Sequence, residues 1–174
     1  MRLRELRDRH PGEVRLVQRA FVLVPDEGRH PIFTAYHVQH REAAARLTGL
    51  PFGLPEVGSP YPTSSWPALV AALWVRQEHP ERFDAFDLAL FEAFFRDTRD
   101  ISNGEVLAQL ARDHGLPEQR LSVALRAPSL RRAVMDEHRS AWEYDVSAIP
   151  SIVVDGEAVT GAVPLEQYEE ALVG

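Results

Sequence analysis

None of the 174 residues is a cysteine, which removes disulfides, thiolate metal ligands and thiol nucleophiles from the chemistry these residues can perform. Lysine is absent too. All nineteen cationic residues are arginine, which reads as the coding bias of a GC-rich genome rather than as a binding signal. The balance is acidic, with a net charge of −7 and a pI near 5.5, and this counts against general binding to nucleic acid or to a membrane surface. No apolar run approaches the ~20 residues that a membrane-spanning helix needs. The first ten residues, Met1 to His10, are charged and lack the apolar core of a signal peptide, so the expected compartment is the cytoplasm. Low-complexity tracts are missing as well. What is present is a chain with 45% apolar residues, enough for one compact domain or for one core carrying a large insertion.

Along the chain, Leu3 and Leu6 mark the tail of an amphipathic helix that Pro11-Gly12 ends. The β-branched, partly alternating run Val14–Val24 predicts a strand. A helix is expected over Tyr36–Leu47, followed by a Gly- and Pro-rich loop to Pro62. Ser64 or Ser65 then caps a helix with Pro67 in its first turn and Leu69, Leu73 and Trp74 on its apolar face. A further helix over Pro80–Arg96 packs Phe83, Phe86, Leu90, Phe91 and Phe94. Ser102-Asn103 caps Glu105–His114, which stops at Gly115. Helices over Pro117–Arg126 and Ser129–Tyr144 lead to Ile149-Pro150.

From there the pattern changes period. The β-branched run Ser151-Ile152-Val153-Val154 meets an Asp155-Gly156 turn, a second short strand follows, and a helix over Pro164–Leu172 closes the chain. A proline directly before a strand is a place where a cis peptide is tolerated, because the tertiary amide leaves a trans preference of only ~0.5–1 kcal/mol. A cis bond there turns the backbone of Ile149 outward to face an extended partner. Two short strands bury little by themselves, so Val14–Val24 is expected to join them in one sheet. The helical block between is then an insertion into one α/β unit.

With these residues in hand, the chain resembles the DsbA-like thioredoxin-fold family, in particular its FrnE-type cytoplasmic branch. The resemblance rests on Val24-Pro25-Asp26, on Leu90–Ser102, on Val146–Ser151, and on Asp155-Gly156 with Thr160–Pro164. It implies an α/β fold with a thioredoxin-like core from residues 1–35 and 140–174 and an inserted helical domain from 36–139. It implies thiol–disulfide oxidoreduction on peptide or protein substrates, with no cofactor. Ala148, Ile149 and Pro150 would be the substrate-binding loop, presenting backbone to a peptide in the manner of strand addition. The active-site thiols would sit where the first strand meets the first helix. Met1 falls inside that helix, which has no cap before Leu3. The expectation is therefore a natural start upstream, with the first strand and the Cys-x-x-Cys turn. The alternative is a real short chain whose sheet closes up or borrows a strand. Without thiols, no residue here is assigned a catalytic role, and a non-catalytic peptide- or partner-binding module is the competing reading. An open sheet edge would also permit a homodimer.

The resemblance extends to the kappa glutathione transferases and hydroxychromene carboxylate isomerases. Those grip glutathione with a Trp-Gly-x-Asp-Arg-type segment where this chain has Thr160–Pro164, so that branch is disfavoured. Other chemistry has weaker grounds. His30, His37 and His40 match no familiar zinc spacing, and a solvated helix start explains them. His138 beside Asp136 and Glu137 reads as surface charge. Ser64, Ser65 and Ser151 lack a Gly-x-Ser-x-Gly elbow and fit caps or turns. Glu169-Glu170 reads as an exposed pair. Trp66, Trp74, Trp142 and the Phe83–Phe95 cluster fall at helical spacing and read chiefly as core. No metal site is expected.

Overall fold

The structure, a computed structural model, describes residues 2–23 and 31–173. The chain divides into two compact units, one of Met1–Phe21 with Met135–Gly174 and the other of Val22–Val134.

In the first unit, α1 (Arg2–Arg9) packs on the closing helix, α8 (Leu165–Val173). Arg9 fastens the pair, donating to Glu5 at 2.6 Å and to Glu169 at 3.2 Å. Glu169 is thus half-buried and ion-paired, not part of an exposed pair with Glu170. Between them in sequence stands a hairpin of β1 (Ser151–Val154) and β2 (Glu157–Thr160), antiparallel with Ser151 opposite Thr160 and Val154 opposite Glu157. Asp155 and Gly156 both have positive φ, 49° and 91°, the geometry that lets a two-residue turn follow the twist of its strands. The small core of this unit joins helix to hairpin: Leu6, Leu165 and Tyr168 are buried, with Leu3, Ile152, Val159, Val163 and Leu172 packed around them. Tyr168 also donates its hydroxyl to the Gly161 carbonyl at 3.0 Å. Tyr168→Phe is expected to cost about 1 kcal/mol, read as a lower urea midpoint at unchanged slope.

The predicted strand over Val14–Val24 does not join this sheet. The only sheet among the described residues has the order β1-β2, and Val24 lies outside them. The strand signal was nonetheless physical. From Val14 to Ala20 burial alternates with period two, with Val14, Leu16, Gln18 and Ala20 half-buried and Arg15, Val17 and Arg19 exposed. Such alternation makes a strand only with a neighbour ~4.8 Å away to complete the ladder, and no described segment takes that place. Instead the end of the run is held by a side chain: the Ala20 N–H donates to Glu137 at 2.8 Å, and Arg19 pairs with the same carboxylate. The hairpin's core is completed by helices rather than by a third strand.

The second unit is helical: α2 (Ala35–Thr48), α3 (Trp66–Glu78), α4 (Pro80–Phe91), α5 (Gly104–Asp113), α6 (Glu118–Ala124) and the start of α7 (Pro128–Ser140). Its core holds Trp74, Val75, Phe86, Leu90, Leu107, Leu110 and Leu121. Prolines at the first turns of α3 and α4 fit positions where no N–H is needed. Asn103 caps α5 by accepting the Glu105 N–H, and Gly115 follows it with φ 66°. At α3 it is Ser64, not the boundary residue Ser65, whose side chain takes up a free N–H, that of Trp66 at 3.1 Å. Leu69 is only half-buried, whereas Trp66, Val70, Leu73 and Trp74 are buried. The helix predicted to run to Arg96 changes pitch, with a π turn over Glu92–Arg96. Phe91, the last residue of α4 before that turn, faces solvent at 54% exposure instead of packing inward.

Candidate functional site

Ala148, Ile149 and Pro150 form an exposed loop at the head of β1. The turn before it is fixed. A 3-10 turn over Ala141–Tyr144 ends at Asp145, which takes a left-handed φ of 54°. Val146 is buried at 6% exposure and donates its N–H back to the Ala141 carbonyl. On the other side, the Ser151 hydroxyl donates to the Ala148 carbonyl at 2.7 Å and lies 3.0 Å from the Thr160 hydroxyl. The Gly161 N–H donates to the Pro150 carbonyl at 2.8 Å. These bonds take up the Ala148 and Pro150 carbonyls but not the Ser147 and Ala148 N–H groups, which bond to no described residue. Among the described residues the Ile149 N–H and C=O have no hydrogen-bond partner, the side chain is 46% exposed, and the Ile149–Pro150 peptide is cis. Among those residues β1 pairs only with β2. The arrangement offers hydrogen bonds to an extended chain and no nucleophile.

Trp142 is 62% exposed and Tyr144 42%; both sit on the turn leading into the loop. Reading Trp142 as core is thereby corrected. The 3-10 turn rotates it off the helical face that spacing had assigned. His138 is half-buried rather than a surface charge, with its ring edge-on to Phe21 at 4.7 Å and to Trp142 at 5.6 Å.

His37 and His40 do other work than a metal. His37 Nδ1 accepts the Thr34 N–H at 2.9 Å, capping α2, and its ring stacks on Tyr61 at 4.5 Å. His40 Nδ1 lies 2.8 Å from the Tyr36 carbonyl. His30 is outside the described residues, and no cluster of three metal-binding side chains occurs among them. Burial, then the charges of Arg41 and His40, hold the His37 pKa below its ordinary 6.5. The folded state thus resists a proton that the unfolded chain accepts. The stability His37 contributes is present above about pH 6.5 and is lost as pH falls below it toward the folded pKa. Urea midpoints should therefore fall less steeply below pH 6.5 in His37→Gln than in the native chain; equal slopes would remove this role.

The sequence reading passed over Arg41. It is 5% exposed and donates to the carbonyls of Gly53, Phe95 and Phe94 at 2.8, 3.1 and 3.2 Å. Its guanidinium also lies over the rings of Phe33, Phe94 and Phe95 at 5.0 to 5.6 Å. This is structural cement around the π turn, not a catalytic group.

The family model for the DSBA-like thioredoxin domain matches residues 1–173. The chain belongs to the DSBA-like thioredoxin domain family. Solved structures of similar fold include a candidate protein disulfide isomerase from Nitrosomonas europaea, with a TM-score of 0.79 at 19% identity, covering 99% of this chain and 86% of that one. A candidate DsbA oxidoreductase from Streptomyces coelicolor aligns with a TM-score of 0.79 at 22% identity over 99% and 80%. The cytosolic disulfide reductase DsbM from Pseudomonas aeruginosa aligns at 0.68 and 21% over 99% and 87%. At these identities the likeness is one of fold. A curated relative, the uncharacterized protein YwbO of Bacillus subtilis, is 24% identical over 88 residues, half of this chain and 44% of that protein. The chain thus matches under half the length of this curated relative. None of the helices described is long and apolar enough to cross a membrane.

Proposed function

We propose that residues 1–174 carry the substrate-docking part of a FrnE-type thiol–disulfide oxidoreductase that works on peptide or protein thiols in the cytoplasm. The observation that carries this reading is the exposed edge of backbone at Ile149, whose N–H and C=O have no hydrogen-bond partner among the described residues. An extended substrate pairs with that edge through Ala148, Ile149 and Pro150, which fixes where its sulfur lies. Oxidoreduction itself needs a thiolate to attack one sulfur of a disulfide, forming a mixed disulfide and releasing the other sulfur as a thiolate, and then a second thiol to resolve it. Residues 1–174 hold no thiol, so they align the substrate and supply no electrons.

The missing cysteine also favours a second reading, a non-catalytic module that binds peptide or a partner protein through the same edge. The test is reduction of a disulfide-bonded peptide with glutathione as the reductant. The 174-residue chain is expected to add nothing to the buffer rate. The same chain, extended upstream along its own reading frame through a Cys-x-x-Cys turn, is expected to turn over. A frame that encodes no such turn, or an extended chain without activity, leaves the binding reading in its place.

A further inference from the structure

Within the helical unit, a cleft of about 380 Å³ lies where the start of α3, the turn leading into α5 and the start of α7 meet. This is the small end of the ~300–1,000 Å³ typical of ligand clefts, room for a molecule of amino-acid size and not for a nucleotide. Its floor is apolar, with Trp66, Val70 and Leu125. The rest is polar: the hydroxyls of Thr63, Ser64 and Ser102, and the side chain of Arg131.

The three hydroxyls are not equivalent. Ser102 donates its hydrogen to Asp100 at 2.5 Å, and Thr63 donates to Ser102 at 3.4 Å. Both therefore turn lone pairs to the cleft, with a carboxylate behind them. Ser64 is the reverse. It is 4% exposed, its oxygen accepts the Trp66 N–H at 3.1 Å, and its own hydrogen goes to no described residue. A buried hydroxyl with an unspent donor is costly until an acceptor reaches it. Arg131 holds its guanidinium over the Trp66 ring, 4.5 Å from the ring centre. Stacking occupies the face of a guanidinium, while its N–H donors lie in the plane of the fork, in the geometry that matches a carboxylate.

We propose that this cleft binds a small, singly charged carboxylic acid with an apolar body. The carboxylate accepts from Ser64 and Arg131, and the body lies on Trp66, Val70 and Leu125. Asp100, one hydrogen bond behind Ser102, opposes a second negative charge in the cleft and so disfavours a phosphate dianion. The site is built wholly from residues 63–131 and does not depend on the docking reading at Ile149.

The probes are phenylacetate, its neutral isostere phenylacetamide and inorganic phosphate. Each is titrated into the full chain while the methyl resonances of Val70 and Leu125 and the indole resonance of Trp66 are followed. Phenylacetate is expected to shift all three to saturation and to bind about tenfold more tightly than the amide, because hydrogen bonds to an ionised acceptor are roughly twice as strong as neutral ones. Phosphate is expected to leave the methyl groups unmoved. Arg131→Gln, at an exposed position, should bring phenylacetate down to the level of the amide, with circular dichroism showing the helices retained. Equal binding of acid and amide by the native chain would overturn the carboxylate assignment, and so would phosphate that binds as tightly as phenylacetate. The absence of any saturable shift at Trp66, Val70 and Leu125 would overturn the cleft as a binding site.

Discussion

Arg41→Leu is expected to destabilise the helical unit by about 3 kcal/mol or more, seen as a fall of roughly 10 °C in its melting midpoint. The guanidinium is buried with three carbonyls and three aromatic rings as its surroundings and no carboxylate within ion-pair distance among the described residues. Phe95 keeps a second donor, since the Gly53 N–H also reaches its carbonyl. The Gly53 and Phe94 carbonyls accept no such second bond from a described residue, and a buried acceptor stripped of its donor costs ~1–3 kcal/mol. Arg41→Lys should recover only part of the loss, because a single ammonium cannot bridge three carbonyls held in the plane of a guanidinium fork. A lysine variant as stable as the native chain would show that charge, not the fork, is what the π turn requires.

Phe86→Ala is expected to cost about 3–5 kcal/mol. Phe86 is fully buried in the centre of the helical core and meets the ring of His114 edge-on at 6.2 Å. Removing it deletes a large apolar surface and leaves a cavity that α3, α4 and α5 cannot close without moving. Phe91→Ala, five residues on, should cost less than about 1 kcal/mol, because its ring is half in solvent. Urea unfolding of the two variants side by side measures the contrast. Comparable losses would mean that Phe91 packs inward in solution.

These two positions show why part of the molecule could be read from its residues and part could not. Phe83, Phe86 and Leu90 recur at helical spacing, and burial follows from that period. Phe91 ends α4 on the face away from Phe86 and Leu90, and the π turn over Glu92–Arg96 that follows is a change of pitch that nothing local announces. Arg41 carries no sequence signal, since its partners lie 12 to 54 residues away and a lone arginine on a polar helix looks solvated. The hairpin was readable because Asp155-Gly156 names its own turn. The strand expected over Val14–Val24 was half readable: alternation fixes which side chains turn inward, but a ladder needs a neighbour that the run itself cannot specify. For the candidate site, the residues Ala148, Ile149 and Pro150 could be singled out from a proline before a strand. The bonds from Ser151, Gly161 and Val146 that fix the loop around Ile149 are long-range or turn-specific, and only the fold displays them.

The most direct test is the amide resonance of Ile149 during titration of the chain with an extended peptide capped at both ends. Its signal is expected to move with saturation and its hydrogen exchange to slow, together with that of the Ala148 amide. A peptide that binds while Ile149 and β1 stay unshifted, with the changes confined to residues 22–134, would contradict a docking edge at Ile149.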